Sequence, residues 1–352
     1  MGLDASVIVV NHDGRAYLDA CLAAIFRAEP VEVLVVDSGS SDGAQHEAAA
    51  RWPLRLIELE GNLGPSAARN RGLREARCDH VILIDNDVEV SEGCLERLID
   101  DLRQDPGLVL VQARSLLGDA QGAIHYDGGN FHYVGLIALR NWYRPQEENH
   151  ERGFVACDVA VSLCCAARRD ALLEVGGFDE TMFILFEDLA LSYALRMRGH
   201  RIGVDTTAVC IHKGGTKGLS TRGEGGGYAA QRSFLHSRNR WIFLLTHYRW
   251  RALIAFAPGF LVYGLVHMAF VVRKGHLGAW WRGKVALVRL RRELALRRAH
   301  VQRGRSLGDR DLVKAPPLTL NPGLSRGGVG AMVRRSLDAL LSFCYHIGRW
   351  AA

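Results

Sequence analysis

Residues 80–87 read His80-Val81-Ile82-Leu83-Ile84-Asp85-Asn86-Asp87, an apolar run that ends on two carboxylates. A run of this kind is a buried strand of a parallel sheet. Its acids then stand just past the strand's carboxyl end, where ligands bind in open α/β sheets. Acids spaced i, i+2 at that position can turn toward one hard cation. Oxygen ligands of this type suit Mg2+ or Mn2+ carrying substrate phosphates. In isolation, Asp-x-Asp is better explained by a solvated acidic turn than by a metal site. The rest of the chain decides between the two.

Apolar runs at 5–10, 31–36, 54–59 and 107–113 read as further strands. Residues 15–28, 42–51, 65–77 and 91–103 have helical spacing and good helix formers. Short strands alternating with helices give right-handed βαβ units and a parallel sheet. No G-x-G-x-x-G follows the first strand, which argues against a dinucleotide-dependent dehydrogenase. Near residue 120 the pattern changes. Residues 122–142, with His125, Tyr126, Phe131, Tyr133 and Trp142 around Gly128-Gly129, read as an extended hairpin. Ala156–Ala167 reads as one buried strand, Arg169–Val175 as a short helix, Glu187–Arg198 as a helix stopped by Gly199, and Arg201–Ile211 as a strand. Gly214 to Gly227 is glycine-rich and reads as a mobile loop.

The chain has 352 residues and a net charge of +6, unevenly placed. Residues 273–352 hold 17 Lys and Arg against 4 Asp and Glu, a balance of +13, leaving −7 for the first 272. A basic tail on an acidic body implies an anionic partner surface, nucleic acid or the cytoplasmic leaflet. Ala252–Val272 is 21 residues without formal charge, long enough to span a bilayer. Pro258-Gly259 interrupts it and basic residues flank both ends. An interfacial helix or hairpin, a single span and a buried soluble helix all fit. Helices are expected over 228–247 and 282–304, then a linker over 305–330 and an amphipathic helix over 329–350. The eight cysteines show no C-x-x-C pair, which fits a reducing compartment. Met1 to Asp4 lead straight into the first strand, so no secretory leader is expected.

Three more constellations fall at strand ends: Asn11-His12-Asp13, the stretch Asp37 to Gly43, and Asn62 to Asn70. An acid placed there can accept from a ribose hydroxyl or a base N–H, and Arg69 can face a base or a diphosphate. Asp42 also suits a helix N-cap.

In this order the pieces resemble the family 2 glycosyltransferases: Val-Val-Asn at 9–11, Val-Val-Asp-Ser-Gly-Ser-Ser-Asp-Gly at 35–43, Gly-Asn-Leu-Gly-Pro-Ser-Ala-Ala-Arg-Asn-Arg-Gly at 61–72, and Ile-Asp-Asn-Asp at 84–87. Gly176-Gly177-Phe178-Asp179-Glu180 with Phe186-Glu187-Asp188-Leu189-Ala190-Leu191 is similar to the family's acceptor-side block. Ile211-His212-Lys213-Gly214-Gly215 is similar to its closing block. The resemblance covers about residues 5–220 and is greatest to the rhamnosyltransferase-like branch, whose members often continue into a membrane-associated helical tail. It implies a GT-A fold, with a mixed, mostly parallel central sheet and flanking helices, and inversion at the donor sugar. It implies that Asp37 holds the nucleobase or ribose with Asn11 and Arg69 nearby, and that Asp85 faces the ribose or a metal-bound water. It makes Asp87 the main ligand of a divalent metal, Mg2+ or Mn2+, His212 a further metal or diphosphate contact, Asp188 the general base and Glu187 an acceptor-side residue. Asn86 stands where many relatives have another acid or a Pro.

Displacement at the anomeric carbon needs these residue types. Negative charge builds on the leaving diphosphate, and a carboxylate opposite it must take the hydroxyl proton. A helix N-terminus keeps Asp188 ionised, as a base requires. The expected partners are a nucleoside-diphosphate sugar, a glycan or lipid-linked acceptor and the cytoplasmic face of the cell membrane. Residues 1–227 are the expected catalytic domain, 228–304 a helical membrane-associated segment and 305–352 a linker with a final helix. A nucleotidyltransferase shares the sheet and the acid-held metal, but Asn11 to Arg15 only faintly echoes its basic loop. Nucleic-acid binding through Trp280, Trp281 and the Arg-rich helix is the third reading. The uncharged stretch beside them favours lipid, so no nucleic-acid partner is expected.

Overall fold

A computed structural model describes residues 2–118, 122–214, 228–319 and 328–352. Most of the glycine-rich stretch expected to be a mobile loop therefore lies outside the described residues. The first half alternates strands and helices: β1 (Leu3–Asn11), α1 (Leu18–Phe26), β2 (Pro30–Asp37), α2 (Ala44–Arg51), β3 (Arg55–Glu58), α3 (Gly64–Glu75), β4 (His80–Asp85), β5 (Val88–Val90), α4 (Cys94–Gln104) and β6 (Leu108–Leu117). Then come β7 (Ile124–Tyr126), β8 (Gly129–His132), β9 (Leu136–Leu139), β10 (Phe154–Cys157), β11 (Cys164–Arg168), α5 (Arg169–Glu174), α6 (Glu187–Arg196) and β12 (Arg201–His212).

The main sheet runs β10-β12-β6-β11-β4-β1-β2-β3, with β5 added to β12 and β7 to β6. β1 lies parallel between β2 and β4, so Asn11 is level with Asp37, and Val10 with Asp85. Alternate side chains of β1 enter opposite cores. Val7 and Val9 pack with α1 and α4, while Ile8 and Val10 pack with α3, α5 and α6. The expected strand over 156–167 is in fact two. β10 pairs antiparallel with β12, whereas β11 lies antiparallel between β4 and β6. The small residues suit either strand, but the link between them is held elsewhere: Val161 N donates to Gln112 Oε1 and Ser162 N to Asp188.

Two compact units are present. One holds residues up to Gly129, Leu139–Arg196 and His200–Gly214. The other holds Asn130–Ala138, Met197–Gly199 and the described residues beyond 214. Its helices are α7 (Ala230–His247), α8 (Trp250–Ala255), α9 (Ala257–Arg273), α10 (Leu277–Arg289), α11 (Arg291–Val301), α12 (Asp309–Leu312) and α13 (Gly328–Arg349). Tyr133 donates to Leu341 O, and Tyr248 donates to Tyr133 O, so the 130–138 segment is tied to these helices.

The uncharged stretch at 252–272 is divided. Phe256 leaves helical geometry at φ −93, ψ 3, and Pro258 then sits in the first turn of α9, where its missing N–H costs nothing. Among the described residues no helix is long and apolar enough to cross a membrane. The Arg-rich helix expected over 282–304 likewise divides, at Leu290. Residues read as linker are packed in part: Asp309, Leu312 and Val313 are buried, and Asp309 accepts from Arg305.

Candidate active site

The connection from β4 to β5 builds the site. The chain leaves the sheet's centre at Asp85 and joins β12 through β5, where Val88 stands opposite His212. Asp87 in that link is thereby set against the end of β12, and His212 Nε2 lies 3.0 Å from its Oδ2. His212 Nδ1 is in turn 3.1 Å from His125 Nδ1 on β7. A Cβ on Gly214 would stand 2.8 Å from Asp87 Oδ2, so this glycine keeps the space beside the carboxylate open.

The loops at the ends of β1 and β2 are stitched together. Asn11 Nδ2 donates to Asp37 Oδ1 at 2.7 Å and its Oδ1 accepts from Asn86 Nδ2 at 2.8 Å. Asn86, the middle residue of the acidic link, thus points sideways and locks Asp85 and Asp87 in place. Asp37 is buried and also accepts from Ser40 N. His12 Nδ1 lies 2.9 Å from Ser38 O, and Asn62 Nδ2 lies 2.9 Å from His12 Nε2, which brings the loop after β3 into the same network.

Arg69 reaches the acids at the β4 end and in α6. It is buried in α3, donates to Asp85 Oδ1 at 2.7 Å, and stands 3.7 Å from Glu187 Oε1. Burial works against its charge, but Asp85, Asp188 and Glu187 overcome it and hold the guanidinium more firmly protonated than usual. Burial pushes Asp85 above the ordinary carboxylate range, with Arg69 pulling it back. Glu187 is raised as well, first by burial and then by the neighbouring Asp188 charge, again against Arg69. Arg69 is therefore the internal cation that links the acids of the β4 end to those of α6.

Asp188 stands in the first turn of α6 and accepts twice through Oδ1, from Ser162 N at 3.1 Å and from Ser162 Oγ at 2.5 Å. Its Oδ2 accepts no hydrogen bond from the described residues. The preceding loop is contorted: Phe183, Leu185 and Phe186 have φ of 64, 70 and 77. Non-glycine residues at such angles hold strain and mark places where the fold fixes a functional group. Sequence reasoning missed this loop, the role of His125 and the role of Ser162. His125 had been noticed only as part of an aromatic-rich hairpin, and Ser162 stood inside an apolar run. Among the described residues no group of three or more His, Cys, Asp or Glu side chains is assembled as a metal site. Asp87 and His212 still fit as the protein's share of one, a carboxylate and an imidazole side by side with room kept beside them.

The sequence profile described as Glycosyl transferase family 2 matches residues 6–176. An N-acetylglucosaminyl-diphospho-decaprenol L-rhamnosyltransferase of Mycobacterium tuberculosis is 30% identical over 283 residues, covering 70% of this chain and 86% of that protein. A poly-beta-1,6-N-acetyl-D-glucosamine synthase of Staphylococcus aureus is 24% identical over 192 residues, 52% of this chain and 42% of that protein. Among solved structures, GalNAc-T7 with UDP, GalNAc and Mn2+ aligns with a TM-score of 0.58 at 14% identity, over 81% of this chain and 57% of the other. S. aureus TarS 1-349 in complex with UDP aligns at 0.50 and 17% identity, over 86% and 88%. At such identities the structural likeness speaks for the fold alone. Strand-end acids on a mostly parallel sheet, the profile match and the mycobacterial relative together place this chain in glycosyltransferase family 2, with the GT-A fold.

Proposed function

We propose that the enzyme moves one sugar, with inversion, from a nucleoside-diphosphate sugar to a hydroxyl of a lipid-linked glycan precursor. The observation that carries this reading is Asp188, held through one oxygen at a helix N-terminus with the other oxygen accepting no hydrogen bond among the described residues. In the reaction the acceptor oxygen bonds to the anomeric carbon as the bond to the diphosphate oxygen breaks. The acceptor's proton goes to Asp188 Oδ2, and the nucleoside diphosphate leaves with the electron pair. Asp37, Asn11 and Asp85 line the donor's nucleoside end, with Arg69 holding Asp85 and Glu187 in register. Asp87 and His212 would hold a divalent cation, Mn2+ or Mg2+, which when bound neutralises charge on the leaving diphosphate. Metal use is supported by the fit of this pair and by the Mn2+ in the GalNAc-T7 structure.

A lipid-linked acceptor is supported by the mycobacterial relative's substrate, a diphospho-decaprenol. The helical unit supports work at a membrane surface. Leu261, Leu265 and Val272 share one face of α9, and all are at least half exposed. Val333, Leu340, Phe343 and Ile347 share an exposed face of α13, a helix that also carries Arg334, Arg335 and Arg349. The test is a panel of nucleotide sugars with a prenyl-diphosphate-linked acceptor, scored for nucleoside diphosphate release and for the product's anomeric configuration by NMR. One donor should give acceptor-dependent release and an inverted product. A retained configuration, or no transfer from any donor, would overturn the proposal.

A further inference from the structure

Arg240 on α7 is 4% exposed, and among the described residues no carboxylate stands near it. Its Nε donates to Val134 O at 2.7 Å, but the buried Nη2 has no hydrogen-bond partner among the described residues. Its guanidinium carbon lies 4.6 Å from the Tyr263 ring centre on α9. Lys284 on α10 reaches the same region: Nζ donates to Ser237 O at 3.0 Å and lies 5.1 Å from the Trp280 ring centre. His236 and His267 face each other with ring centres 4.2 Å apart. Tyr263 OH is 3.2 Å from His236 Nε2, and Tyr228 OH is 3.5 Å from His267 Nε2. The close approach of α7 and α10 needs Gly283, where a Cβ would stand 2.8 Å from Phe234 O.

This cluster is the reverse of the catalytic one. There, every buried cation meets acids. Here two cations, two imidazoles and two phenols converge, and among the described residues no carboxylate pairs with Arg240 or Lys284. Burial and the Arg240 charge together push the Lys284 ammonium down to about 7. Leaving cations uncompensated in a packed region is costly unless an anion completes the set. Several donors around two positive charges suit a phosphate or diphosphate, the group for which a guanidinium fork is best shaped. The exposed apolar face of α9 is continuous with the helix that carries Tyr263 and His267.

We propose that α7, α9 and α10 form a receptor for the phosphate or diphosphate head of a prenyl-type amphiphile, the lipid-linked acceptor being its occupant. This rests on the acceptor reading above. Cation–π packing of Arg240 against Tyr263 accounts for the ring contacts but leaves Nη2 unpartnered and Lys284 unexplained.

The test uses the full chain in detergent micelles with EDTA, to keep metal-dependent diphosphate binding at the catalytic site silent. Fluorescence of Trp241 and Trp280, both beside Lys284, reports binding of farnesyl diphosphate, inorganic pyrophosphate or farnesol. Farnesyl diphosphate should bind, pyrophosphate should compete with it more weakly, and farnesol should not compete. Lys284→Gln, at a half-buried position, and Arg240→Gln should each weaken farnesyl diphosphate about ten- to a hundredfold, the loss of one charge-assisted contact. A thermal melt establishes that each variant is folded, and Lys284→Gln carries the test if Arg240→Gln is not. Wild-type affinity in Lys284→Gln, or farnesol binding as well as farnesyl diphosphate, overturns the receptor. Pyrophosphate binding as tightly as farnesyl diphosphate makes the ligand a free phosphate and overturns the amphiphile. Binding that behaves as expected in a protein that transfers no sugar to lipid-linked acceptors would unseat the acceptor reading and leave the receptor standing.

Discussion

Asp87 has one imidazole against its Oδ2 and, beside the same oxygen, a glycine with no side chain to crowd it. Asp87→Ala should remove Mn2+-dependent binding of nucleoside diphosphate and reduce transfer to background, and chelation should do the same to the wild type. Titration of the diphosphate with and without Mn2+ checks this, and metal-stimulated binding in the variant would reassign the metal ligand. Glu187 bears on stability. Its folded pKa is raised above the ordinary carboxylate value by burial and by Asp188. Its stabilising contribution is therefore complete below about pH 4.5 and is lost as pH rises toward the folded value. Glu187→Gln should flatten that slope: between about pH 5 and about pH 9 the wild type should lose melting temperature relative to the variant. Parallel melting curves across the range would mean that Glu187 titrates normally. None of these pairings has a local signature. Ser162 with Asp188, and Arg69 with Asp85 and Glu187, join residues far apart in the chain, so letters alone located the acids but not their partners.

The loop from Phe183 to Phe186 is where element geometry and chemistry meet. Three left-handed non-glycine residues turn the chain sharply into α6 and so aim Asp188. Leu185→Gly would release about 1 kcal/mol of backbone strain while loosening that aim. Melting temperature should hold or rise while kcat falls and donor affinity stays level. A lowered melting temperature with unchanged kcat would show that the leucine side chain, not the backbone, matters there. Strands β1, β2, β4 and β6 were legible because parallel strands buried on both faces read as unbroken apolar runs. The 156–167 segment was not, since alanines and cysteines serve either an edge or a central strand and the break between β10 and β11 is fixed by Gln112 and Asp188. The division of 252–272 was half legible. Pro258 marked it, but the interruption falls at Phe256, two residues earlier, because proline is accommodated in the first turn of a helix.

The molecule joins an acidic catalytic sheet to a basic helical unit, and the charge division was visible in the sequence while the helices' apolar faces were only partly so. Those faces give a direct prediction for the intact chain. Leu261→Glu places a carboxylate on the exposed side of α9 without touching a packed residue. Flotation with vesicles containing phosphatidylglycerol should show membrane partition reduced about tenfold or more, from the lost apolar contact and the added repulsion. Release of the full chain by salt alone, with no effect of Leu261→Glu, would make the attachment purely electrostatic.

The claim on which the mechanism stands is that Asp188 takes the acceptor's proton. Asp188→Asn keeps the side chain's size and one oxygen for Ser162 while abolishing its basicity. The decisive measurement is single-turnover transfer by this variant at saturating nucleotide sugar, Mn2+ and acceptor, with donor affinity determined on the same protein. Transfer should fall by about 10²–10⁴-fold with donor affinity nearly unchanged. Transfer at the wild-type rate, or a collapse of donor affinity with bound donor still turning over normally, would contradict it and make Asp188 a binding residue.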